Sequence, residues 1–252
     1  MRIDRIGGFC LALAVASSAL AQENNLNRAE VTAIKAKLVT VQQAMGADPA
    51  GYIKETEEFS LPTEANPQQE GKFWPITSSV SLRYTDRAVK ENTANMEQLS
   101  REFQQRYATA AASGDPDAII KFTEEFTRLQ QQAAAAAMAQ PKQPMDVYVQ
   151  FNMSPYASID PDAVVFESPG VIALRDTDVA GENGTVTVYL DPVALAQTET
   201  LSSIELKTPQ DGVSNRTGVF NIEISLRGAI ADLEAWAKSF DTASMLAVID
   251  SQ

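Results

Sequence analysis

The chain has 252 residues, with 20 Lys+Arg against 33 Asp+Glu, a net charge of -13, no His and one Cys. The lack of His excludes Ser-His-Asp triads, Cys-His dyads, His-ligated zinc and histidine general bases. A hydrophobic content of 44% is enough for one or two compact cores.

Residues 1–21 carry Arg2 and Arg5, an apolar run from Ile6 to Leu20 and the small-x-small close Ala19-Leu20-Ala21. That order is the pattern of a secretion signal cleaved after Ala21, and the run is too short for the roughly 20 residues that cross a bilayer. Cys10 follows the bulky Phe9, which does not suit lipidation. Removing residues 1–21 takes away Arg2, Arg5 and Asp4, leaving 18 Lys+Arg against 32 Asp+Glu and no cysteine. A disulfide-free exported chain points to the bacterial periplasm or extracellular space. Its acidity repels nucleic acid and anionic membrane surfaces, both of which are bound through Lys and Arg.

Val31, Ile34, Leu38, Val41 and Met45 recur at 3-4-3-4 spacing and predict a helix within 22–49, ended by Gly46 and Pro49. Residues 50–78 show neither helical nor strand period and predict an irregular acidic connection. Ser79 to Tyr84 alternates and predicts a strand, after which Asp86 can cap a helix. Met96, Leu99, Phe103, Tyr107 and Ala110 then mark one helix over 87–112, broken at Ser113-Gly114. Asp115-Pro116 starts another, reaching about Gln140, with Ile119, Phe122, Phe126, Leu129, Ala133 and Ala136 on one stripe and Pro141 as its stop. Pairing Phe103 with Phe126 and Tyr107 with Phe122 gives a constant register, so the two helices are expected to form a long antiparallel hairpin. The N-terminal helix is its possible third member.

From Met145 the period changes to two. Val147 to Phe151, Val186 to Leu190, Ile204 to Leu206 and Phe220 to Leu226 alternate, while Ala163 to Phe166 and Val171 to Leu174 flank the turn Ser168-Pro169-Gly170. Ile230, Leu233, Trp236, Ala237 and Phe240 predict a covering helix. The expected fold is therefore α+β: a helical hairpin within 79–145, projecting from an antiparallel sheet over 146–252 that a C-terminal helix covers.

Candidate chemistry is sparse. Asp176-Thr177-Asp178-Val179-Ala180-Gly181 opens like a calcium loop but lacks the third carboxylate and the closing Glu, so it reads as a turn, with Asn183-Gly184 supplying the positive φ. Asp160-Pro161-Asp162 and Asp115-Pro116-Asp117 are the grammar of turns and caps. Asp160, Asp162, Glu167 and Asp176 make a carboxylate-pair hydrolase only if they converge. No Gly-x-Ser-x-Gly, Ser-x-x-Lys, phosphate-loop or dinucleotide motif occurs. Asn152, Asn183 and Asn215 head Asn-x-Ser/Thr sequons that read as chance in a bacterial chain.

These residues imply no cofactor, no metal and no catalytic set. The leading expectation is an exported, non-catalytic envelope protein that binds another envelope protein, or itself, through the helical hairpin. Phe103, Tyr107, Phe122 and Phe126 are its candidate contact residues. The alternative is a small-ligand or carbohydrate binder with Trp74 and Tyr84 on the pocket wall; Trp236 reads as core.

Overall fold

The computed structural model describes residues 24–113, 116–137 and 142–250. The expected signal at 1–21, the break at Gly114-Asp115 and the stop at Pro141 lie outside the described residues, as do the side chains of Ala110, Ala133 and Ala136. The elements in chain order are α1 (Arg28–Ala44), β1 (Tyr52–Ser60), β2 (Ser78–Asp86), α2 (Arg87–Ser113), α3 (Pro116–Ala137), β3 (Met145–Phe151) and β4 (Tyr156–Ser158). They continue with β5 (Val164–Ser168), β6 (Val171–Thr177), β7 (Asn183–Leu190), β8 (Ser203–Glu205), β9 (Ile222–Ala229), α4 (Ile230–Ala237) and α5 (Thr242–Leu246).

The expected fold class is corrected. The architecture is dominated by a seven-stranded antiparallel sheet in the order β1-β2-β3-β9-β7-β6-β5, with β4 and β8 forming a separate two-stranded sheet. The helices are short and no obvious long hairpin stands out. Two physical reasons account for the error. Heptad-like spacing fixes which stripe of a helix is apolar, not what the stripe packs on. The connection at 50–78 contains β1, a nine-residue edge strand exposed over much of its length, so no buried face imposes a period of two.

The chain divides into two units. Among the described residues, one holds 24–47, 57–82 and 147–250, and the other holds 48–56, 83–113, 116–137 and 142–146. In the first unit, β6, β7 and β9 align so that Ala173, Val188 and Ile224 are cross-strand neighbours, each fully buried. Helix α4 lies against these three strands. On the alternate positions, Ile172 and Tyr189 join Leu195, Ile204 and Leu206 in a second cluster, which carries β8 into the core.

Helix α1 belongs to this unit and is not the third member of a helical hairpin. Asn27 and Glu30 form its capping box, with Glu30 N–H donating to Asn27 Oδ1 at 3.0 Å and Asn27 N–H to Glu30 Oε2 at 2.8 Å. Its apolar stripe meets Ala65 and Ile76 through Ile34, while the chain entering α5 closes on its end by Asp241 N–H donating to Ala44 O at 2.8 Å. Trp236 is core, its indole N–H donating to Ala47 O at 3.0 Å and its ring meeting Phe240 edge-on. Lys37 reaches Asp250 at 2.6 Å, fastening the C-terminal end to the same helix.

In the β6–β7 connection the positive φ falls on Gly181 at 72°, not on Gly184. Gly184 is required for another reason, since a Cβ there collides with Asp176 O across the ladder.

A buried polar clasp ties three segments together. Asn152 has φ 58° and is 4% exposed. Its Nδ2 donates to Ile76 O at 2.7 Å and to Gly218 O at 2.9 Å, and its Oδ1 accepts from Phe220 N–H at 2.8 Å. A glycan does not fit there, in keeping with the reading of its sequon as chance. Asn152→Ala strands three buried backbone groups and forces alanine into the left-handed region, which should cost about 3 kcal/mol or more. Asn152→Gly keeps the backbone and should lose about 1 kcal/mol less. Urea midpoints of the two variants check the order.

Candidate functional site

The second unit is built around the root of two helices. Asp86 ends β2 and its carboxylate takes two backbone donors, Ala88 N–H at 2.8 Å at the start of α2 and Lys142 N–H at 2.8 Å beyond α3. The bond from Lys142 is the main reason its carboxyl is held below the usual aspartate value. Lys142 Nζ donates to Ala50 O at 3.1 Å and lies over the Tyr52 ring at 4.9 Å. Arg87 completes the root, donating its backbone N–H to Gly51 O and its guanidinium to Tyr52 O. Entry into α2 and exit from α3 are thus pinned to one turn.

Above the root, α2 and α3 pack on each other through aromatic rings. Phe103 lies 4.0 Å from Phe126 and 5.1 Å from Phe122, centroid to centroid, and Tyr107 stacks on Phe103 at 5.7 Å. The structure therefore brings all four expected contact residues together, with Tyr107 meeting Phe103 on its own helix. Yet no described side chain of α2 or α3 is fully buried, and Tyr107 is 44% exposed. Leu99, Phe103, Phe122 and Phe126 floor a shallow groove between the helices, rimmed by Glu102, Arg106 and Glu125.

Of the four carboxylates, Asp160 and Asp162 share a local turn, and Glu167 and Asp176 stand apart. Asp160 Oδ1 accepts from Asp162 N–H at 3.0 Å in a capped turn, and Asp162 uses its backbone carbonyl to hold Arg175. Glu167 stands opposite Ile172, so Asp176 is four residues further along β6, about 13 Å away on the same face. A glycosidase pair needs about 5–9.5 Å. No group of three or more acidic or sulfur ligands able to hold a metal occurs among the described residues. Asp178 accepts from Glu182 N–H at 3.2 Å as a turn residue.

The ligand-binding alternative gains little. Tyr84 is buried in β2, whereas Trp74 is 40% exposed. An open depression lined by Asp191, Val193, Glu205, Lys207 and Gln210 has its polar groups already engaged: Lys207 pairs with Glu205 at 3.0 Å, and Asp191 takes the N–H groups of Val193 and Ala194.

One carboxylate was missed by sequence reading. Glu223 on β9 stands opposite Tyr189 on β7, and burial pushes its carboxyl above the usual value; Tyr189 is raised as well, first by burial and then by the Glu223 charge. A carboxyl raised in the folded state destabilises the fold as pH climbs past its unfolded value, and the penalty is complete above its folded value. Glu223→Gln should therefore raise the melting temperature at pH 7.5, by no more than about 2 °C because the carboxylate keeps part of its hydration. The gain should shrink as pH falls through the unfolded glutamate value and vanish by about pH 3, where the wild-type group is protonated in both states; melting scans across this range check it.

The chain matches no family model, no curated protein and no solved structure.

Proposed function

We propose that this chain is an exported, non-catalytic protein of the bacterial envelope that binds another protein through the α2–α3 seam. Export is supported by the Arg2 to Ala21 pattern and by the lack of any cysteine outside it. The docking role rests on one observation: four stacked or adjoining aromatics share a seam, yet none of them is fully buried. Aromatic side chains supply large contact area at low entropic cost, and a shallow apolar groove with a charged rim is the usual form of a helix-binding surface.

The test is photocrosslinking in the cells that make the protein. A photoreactive phenylalanine analogue placed at Tyr107 or at Glu102, on the rim of the groove, should yield a discrete protein adduct, and the same probe at Lys54 in β1 should not. Phe126→Ala should lower the adduct several-fold without abolishing export. Groove positions that crosslink no better than Lys54 overturn the docking role.

A further inference from the structure

A glycine directly follows an Asn or Asp at two places in this chain, Asn183-Gly184 and Asp211-Gly212. At such a pair the glycine nitrogen can attack Cγ of the residue before it and close a cyclic imide, because no Cβ on the glycine hinders the approach. In an unfolded chain the asparagine pair reacts first, since ammonia leaves an amide more readily than water leaves a carboxyl group. Ring closure swings the rigid peptide group between the two residues about the Cα–C bond. The fold decides which of the two peptides is free to swing.

Asn183 and Gly184 begin β7, a strand flanked on both sides by β6 and β9. Asn183 O accepts from Asp178 N–H at 2.8 Å, and Glu182 O, one residue earlier, accepts from Ile230 N–H at 3.0 Å. The ladders set Gly184 opposite Thr177 on one side and Gly228 on the other. Turning this peptide breaks bonds of an interior strand, which opens only at a free energy near that of unfolding.

Asp211 and Gly212 lie in a turn outside every ladder. Asp211 is exposed, and no described residue bonds to its carboxyl group. The anchors of this segment stand on either side of the pair: Gln68 Nε2 donates to Gln210 O at 2.8 Å, and Val213 and Phe73 exchange backbone bonds at 2.8 and 2.9 Å. The Asp211–Gly212 peptide turns between them, and Gly212, already at φ 70°, absorbs the compensating rotation without a side chain to obstruct it.

We infer that Asp211 is a site of spontaneous backbone isomerisation, and that the fold reverses the intrinsic order by holding Asn183 intact. Gly212 N bonds to Asp211 Cγ, and the carboxyl oxygen leaves as water with the proton shed by the amide. A water molecule then opens the ring. Attack at Cγ restores aspartate, whereas attack at the main-chain carbonyl carbon leaves the chain running through Cγ as isoaspartate. One water is lost and one regained, nothing is oxidised, and the mass is unchanged. The product carries an extra methylene in the main chain between the Gln210 and Val213 anchors.

The purified chain from Gln22 onward, kept folded for weeks in neutral buffer, tests this by peptide mapping. An endoprotease that cuts before aspartate but not before isoaspartate should lose cleavage at 211 several-fold, with no change in peptide mass, while Asn183 keeps its amide. Electron-transfer fragmentation should place the isomer at 211. Asp211→Glu, which would need a larger ring, should accumulate no isomer at that position. In concentrated urea the order should reverse, with Asn183 gaining the mass of an acid before Asp211 isomerises. Undiminished cleavage at 211, or deamidation of Asn183 ahead of Asp211 in the folded chain, overturns the inference. An order in urea unchanged from that of the folded chain overturns the role given to the fold.

Discussion

A pair of helices has one shared seam, and one seam cannot hide both sides of two aromatic stripes. That constraint separates α2 and α3 from the rest of the chain. Where β6, β7 and β9 run side by side, Ala173, Val188 and Ile224 lose all contact with water because a second layer closes over the strands. In α2 and α3 the apolar residues stay only partly buried. Apolar area left wet forgoes about 25 cal/mol per Å² of stabilisation.

The excess of acid lies outside the helix pair, which carries no net charge. Strand β1, which leaves one edge of the large sheet open, is protected: Lys54, Glu55, Glu57 and Glu58 place charges along it, and charged edges resist unwanted strand addition.

The strands with one buried face were legible from their residues. Val80, Leu82 and Tyr84 in β2, Val147, Val149 and Phe151 in β3, and Ile222, Ile224 and Leu226 in β9 are all buried in strict alternation. What period two does not encode is the sheet to which a strand belongs, so Ile204 was readable as a strand residue but its pairing with Ala157 in a separate small sheet was not. Strand β1 escaped notice because its exposed positions carry Lys, Glu and Thr without an apolar partner rhythm. The capping box at Asn27 and Glu30 was a signal in plain view, an Asn three residues ahead of a Glu, set just before the apolar stripe. At the candidate site, the approach of Phe103 to Phe126 followed from register, whereas the incomplete burial of those rings depends on what packs over them. Spacing carries no trace of that. Glu223 was unreadable for a similar reason: its environment is set by Tyr189, 34 positions away in the chain and directly opposite in the ladder.

The root of the helix pair determines how much ordering remains for a partner to impose. Asp86 bonds both the first turn of α2 and the chain leaving α3, and Lys142 returns to Ala50 and Tyr52, so the ends of the two helices are fixed before anything docks. Because the Asp86 carboxyl is held below its usual value, the stabilisation it brings is complete above the unfolded aspartate range and is lost only as pH falls through the lower folded value. The Asp86 carboxylate therefore stays charged at neutral and mildly acidic pH. A surface whose backbone is already placed loses little conformational entropy on association, and interfaces of modest area become tight chiefly by that saving.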